Sequence, residues 1–178
     1  RPTLLYEFGN AQYEGLSLAN RTIEYFSRPQ DDMDSKQIDA LNQWRLCSER
    51  VRVLEMLARE DIRGKETDFL THWLVVQLNE LFFFSAIKNL ETVWNRKELD
   101  ELRGRYGDAE IRFKDGHDHS IIRLHPTRRC YIKPEYTRKG KTLAEERMGC
   151  ILHELLHVFL MQFVCELCIA WENCIDHG

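Results

Sequence analysis

Residues 151–161, ILHELLHVFLM, set two histidines and a glutamate into an otherwise apolar run. A buried cluster of titratable groups is costly unless it is bound to something. Residues four apart on a helix stand on one face, so His153 and His157 can offer imidazole nitrogens to one Zn2+ ion at about 2.0–2.1 Å. Glu154 lies one step along, beside that ion rather than on it. There its carboxylate can act as general base, taking a proton from a metal-activated water that attacks a peptide carbonyl. H-E-x-x-H fixes three positions, two of them by an uncommon residue, and a chance match in a chain of this length arises in roughly one case in a few hundred. The competing reading is a metal-free hydrogen-bond network of two core histidines with Glu154.

A catalytic zinc site takes three protein ligands and keeps one position open. The downstream candidates are Cys165, Glu166, Cys168, Glu172, Cys174, Asp176 and His177. Glu166 and the nearest cysteines continue the same helix or its end and do not easily fold back onto the ion. His177 is far enough away and is the preferred third ligand; Glu172, the cysteines, Asp176 and residues beyond Gly178 are the alternatives. Cys165-x-x-Cys168 reads first as inert packing; half a structural zinc site, completed by Cys174 with Cys130 or Cys150, and a redox disulfide are its alternatives. His117 and His119 form an H-x-H pair in a turn, where solvation is a better reading than metal binding for want of a third ligand. His72, alone among apolar neighbours, reads as a packed core or rim residue.

These groups need a scaffold. TLAE, Thr142 to Glu145, is a capping box that opens the helix carrying the motif. Upstream, GLSLANRTIEYFSRP has helical spacing before Pro29, and a longer helix repeats Ile38, Leu41, Leu46, Val51, Leu54 and Leu57 until Gly64 closes it. A third helix is expected from about Thr67 to Ile87, apolar on more than one face and so buried on several sides. LETVWN, AEIRFKD and HSIIRLHP are β-rich, with GRYG and KDGHDH as turns, which predicts a small antiparallel sheet over residues 90–126 and a hairpin at Asp115-Gly116. The fold class is therefore α+β, organised as an N-terminal helical segment (1–64) packed on a core domain (65–178).

Composition bounds the rest. In 178 residues, 43% hydrophobic content supports one compact domain with its own core. The six unevenly spaced cysteines read as mostly reduced. A net charge of -4 excludes a protein basic over its whole surface, yet residues 96–141 hold a run of Arg and Lys that is a candidate DNA contact beside the simpler reading of a solvated face. The two greasiest stretches approach membrane-spanning length but carry several polar groups, so no membrane association is expected. The chain opens on Arg1 and reads as an excised piece of a longer protein, with targeting information outside it.

Several stretches resemble the SprT-like zinc metallopeptidases, the Spartan-type family. LNELFFFSAIKNLETVWN (78–95) is similar to that family's opening helix and first strand, SIIRLHP with TLAEERMGCILHELLHVFL to its last strand and active-site helix, and the terminal DHG to the H-G that supplies its third histidine. The resemblance covers about residues 67–178. It implies a zincin-like minimal metallopeptidase fold, His153, His157 and His177 as zinc ligands, Glu154 as catalytic base, protein as substrate, and an intracellular, nuclear setting. Two departures stand out: the gap from His157 to His177 is long and holds three cysteines, and the family's DNA-binding zinc module is not visible. The expected function is a zinc-dependent endopeptidase with DNA-associated proteins as candidate substrates; the alternative is a zinc-stabilised binding module for a protein partner or DNA.

Overall fold

The computed structural model describes residues 13–27, 29–33, 35–101, 106–114, 116–127 and 142–164. Helix α1 (Gly15–Phe26) is capped by Glu14, whose carboxylate accepts from the amides of Leu16 and Ser17 at 3.0 and 2.7 Å. Leu18, fully buried, anchors it to the core.

The long second helix expected from the sequence is two helices, α2 (Ser35–Leu46) and α3 (Glu49–Leu57). At the break, the amides of Arg50 and Val51 bond back to the carbonyls of Cys47 and Ser48 at 3.3 and 3.1 Å. The Cys47 thiol and Ser48 hydroxyl both donate to Glu49 Oε2 at 2.7 and 3.0 Å. Such local side-chain bonds compete with the helical ladder, and here they interrupt an unbroken apolar repeat. Gly64 does not end this helix either. Its φ of +109° belongs to the residue that opens α4 (Lys65–Phe83).

Helix α4 stops earlier than its apolar pattern predicts. Phe84 and Ser85 are left-handed (φ 57° and 56°), and both donate their amides to the Asn79 carbonyl. The Asn79 side chain donates to the Ile87 carbonyl at 3.0 Å and accepts from the Ile87 amide at 3.3 Å. One residue thus holds the turn that the hydrophobic run conceals. His72 is exposed on α4, contrary to its expected place in the core or rim.

The sheet is mixed rather than antiparallel. Its order is β1 (Leu90–Trp94), β3 (His117–Leu124), β2 (Gly107–Lys114). The hairpin β2–β3 turns at Gly116 (φ +80°), as its sequence predicts. Strand β1 joins the other edge of β3 in parallel register, from Leu90 opposite Ser120 to Trp94 opposite Leu124. Helix α5 (Arg96–Glu101) lies between β1 and β2 in sequence; β2 runs antiparallel to β3, while β1 and β3 run the same way.

Helix α6 (Leu143–Phe163) crosses this sheet, with Ile151, Leu155 and Val158 fully buried. The capping box is present in full: the Glu145 amide donates to Thr142 Oγ1 at 3.2 Å, and the Thr142 amide donates to Glu145 Oε2 at 2.6 Å. Further bonds fix the helix. Gln162 donates to Ser120 Oγ at 2.7 Å and to the Lys88 carbonyl at 3.1 Å. Buried Arg147 donates to the carbonyls of Leu57 (2.9 Å), Arg59 and Pro126 (3.0 Å), locking α6 to the end of α3 and the loop after β3. Where α6 ends, Val164 bridges Tyr13, and the Tyr13 amide donates to the Phe163 carbonyl at 2.7 Å. Both segments, before and after residue 64, thereby share one apolar core. No described helix is long and apolar enough to cross a membrane.

Candidate metal centre

The three polar residues of the motif occupy two different environments. His153 and His157 are exposed on the same edge of α6, not buried as their apolar neighbours suggest. Their Nε2 atoms converge to 2.9 Å, with ring centroids 4.5 Å apart and planes at 84°. Glu154, by contrast, is only 7% exposed. The helix pitch accounts for this split: 153 and 157 are separated by little more than one turn, whereas 154 points about 100° away, towards the sheet.

What receives Glu154 is Gly107, the first residue of β2. A Cβ on residue 107 would lie 2.6 Å from Glu154 Oε1 and 2.9 Å from Cδ. The glycine therefore supplies space, a role the sequence shows only as one of two glycines in GRYG, read as turn chemistry. Strand β2 is at the edge of the sheet, so the carboxylate sits at the base of a strand that has β3 on one side.

The imidazole pair fits a zinc ion. A tetrahedral zinc with nitrogen ligands at about 2.0–2.1 Å holds them about 3.3 Å apart, so the pair has to open by only about 0.4 Å. Imidazole is also among the preferred donors for that metal. His177, the preferred third ligand, lies outside the described residues, as do Cys130, Cys165, Cys168, Cys174, Glu166, Glu172 and Asp176. Among the described residues there is no group of three or more metal-ligating side chains. Cys150 is buried inside α6, and His117 and His119 lie on β3 rather than in the turn, with His119 opposite Arg112.

The basic run divides similarly. Arg123, one of its members, is a core residue: its side chain is 7% exposed and pairs with Glu98 at 2.6 Å, Asp108 at 3.0 Å and Glu110. Arg112 also pairs with Glu110 at 2.6 Å, and Arg96 with Asp100 at 3.5 Å. Hydrogen bonds from Arg112 and then Arg123 lower the Glu110 pKa to about 2. Arg103, Arg105, Arg128, Arg129, Lys133, Arg138, Lys139 and Lys141 lie outside the described residues.

A groove of about 590 Å³ runs along the other side of the histidine pair, walled by α1, the end of α4 and α6. Its apolar lining is assembled from residues far apart in the chain, so no local sequence pattern marks it. In comparisons with known proteins, the chain matches no family model, no curated protein and no solved structure.

Proposed function

We propose that the chain is a zinc-dependent endopeptidase of the SprT-like, zincin type, with His153, His157 and His177 as metal ligands and Glu154 as general base. The observation that carries this reading is the convergence of two exposed imidazoles at 2.9 Å with a carboxylate one residue along, held against the edge strand. Bound zinc would lower the pKa of a water towards about 7 and polarise the scissile carbonyl. Glu154 takes the proton of the attacking water and passes it to the leaving amine. Its burial keeps the carboxylate in place and away from bulk solvent. Strand β2, which among the described residues has a partner strand on one side only, would offer its other edge to an extended substrate backbone by strand addition. A nuclear setting and DNA-associated substrates follow from the resemblance and belong to this proposal. A second reading, a zinc-stabilised binding module for protein or DNA, draws on the same burial of Glu154, which suits a structural carboxylate as well.

Elemental analysis of the purified chain, prepared without added metal, tests the centre. Stoichiometric zinc that is lost in His177→Ala supports a three-histidine site. Zinc absent from both proteins would sink the peptidase reading. Glu154→Gln then separates the two functions: a catalyst keeps its zinc and loses about three orders of magnitude in cleavage of an unfolded protein. A binding module keeps zinc and partner affinity alike.

A further inference from the structure

One wall of the groove beside the histidine pair, from Ala19 to Ser27, belongs to a part of the chain that the SprT-like resemblance does not cover. Ala19 and Ile23 of α1 form one wall, Phe82 closes an end, and Leu152 and Leu156 of α6 form the other wall, with His153 on its lip. Its volume, about 590 Å³, lies within the roughly 300–1,000 Å³ of sites that bury a small ligand or several side chains. No Lys, Arg, Asp or Glu is among the described residues lining it. Ile23 is 64% exposed and Leu156 39%, so both present apolar surface to whatever enters.

Its position relates it to the proposed centre. Going round α6, Leu152 and Leu156 fall on one side of His153 and His157, and Glu154 with the β2 edge falls on the other. His153, which itself lines the groove, joins the groove directly to the histidine pair. Among the described residues the lining carries no charge, and a carboxylate or ammonium beside them would lose its hydration without gaining a partner there.

We propose that this groove is the specificity pocket of the peptidase, taking a bulky apolar side chain next to the scissile bond, and that helix α1 is its selecting wall. The inference rests on the peptidase reading for its meaning but not for its test. Transfer of one Leu-sized side chain from water into such a groove shifts affinity by about tenfold or more.

The experiment uses two labelled peptides identical except for a central Leu-Phe or Asp-Ser pair. Binding is measured by anisotropy to Glu154→Gln, and cleavage is measured with the wild-type chain. Glu154→Gln binds the Leu-Phe peptide about tenfold more tightly, and adding Ile23→Asp removes that preference. Ile23 is exposed enough for its replacement to leave folding intact, and Ala19→Trp, which fills the groove, gives an independent reading. Equal affinities for the two peptides, or a preference that survives both variants, overturn the proposal. A change in oligomeric state on Ile23→Asp, with the preference intact, also overturns it and makes the groove a contact between copies. Glu154-dependent cleavage of both peptides at equal rates leaves the peptidase and removes the groove's role. Groove-dependent binding without any cleavage does the reverse.

Discussion

The Arg123 cluster and the His153–His157 pair are two polar clusters that are built differently. Arg123 is withdrawn from water and surrounded by the carboxylates of Glu98, Asp108 and Glu110. It is a closed cluster: charge is matched within the fold, and its members come from α5, β2 and β3, which it fastens together. The histidines are open. They face solvent from one helix, with two like nitrogens 2.9 Å apart and so within hydrogen-bond reach of each other. A cluster whose charges are answered internally serves the fold, while convergent donors left at the surface suit a ligand.

If that contrast is right, removing the two clusters has opposite consequences. Arg123→Met should cost about 3 kcal/mol in urea unfolding, near the low end for breaking a buried pair because Glu98 and Glu110 remain partly hydrated. A loss below about 1 kcal/mol would mean that the cluster is a surface feature after all. His153→Ala should cost almost nothing without metal, as exposed substitutions do. The wild-type chain, however, should gain about 2.7 kcal/mol when free zinc is about a hundredfold above its dissociation constant, and the variant should gain none. Equal stabilisation of both by zinc would place the metal elsewhere.

Sequence made the open cluster legible and hid the closed one, for a physical reason. H-E-x-x-H works through spacing along a single helix, and so do the capping box at Thr142 and the turn at Gly116; local geometry is enough to read them. Arg123 looks like one more member of a basic run because its partners are brought in by strand pairing and by α5. The parallel entry of β1 is hidden for the same reason, since each strand's alternation is blind to its neighbour's direction. The break at Cys47–Ser48 and the early end of α4 depend on side-chain hydrogen bonds, donated by Cys47 and Ser48 to Glu49 and by Asn79 to Ile87, which an apolar repeat does not reveal. The motif itself differs from its sequence expectation in one respect. Its apolar flanks suggested buried histidines, but those flanks serve the core on the far side of the helix.

Gly107 lies where the two regions meet, between Asp108 of the closed cluster and Glu154 of the open site. Gly107→Ala should therefore sharpen the comparison. The added methyl meets Oε1, Cδ and Cγ of the buried Glu154 side chain, all within 2.9 Å, so stability should fall by about 1–3 kcal/mol. Displacing the base by about an ångström should lower kcat/KM by ten- to a hundredfold, in a chain that still binds zinc. A large fall in Tm with activity per folded molecule unchanged would make Gly107 a packing residue only.

The smallest effect concerns acid. The folded state lowers the Glu110 pKa from 4.5 to about 2, so the unfolded chain binds the proton more readily in that interval. By linkage, the stabilisation is fully present above about pH 4.5 and is lost as the pH falls towards 2. The carboxylate is partly exposed, which keeps the effect below about 1 kcal/mol. Glu110→Gln should thus lower Tm slightly near neutrality, and its curve should converge on the wild-type curve through this acid window. Parallel curves down to the lowest pH that the fold tolerates would mean that Arg112 and Arg123 do not hold Glu110 in its charged form. The closed cluster would then owe its stability to Asp108 and packing, and the contrast with the open histidine pair would rest on burial alone.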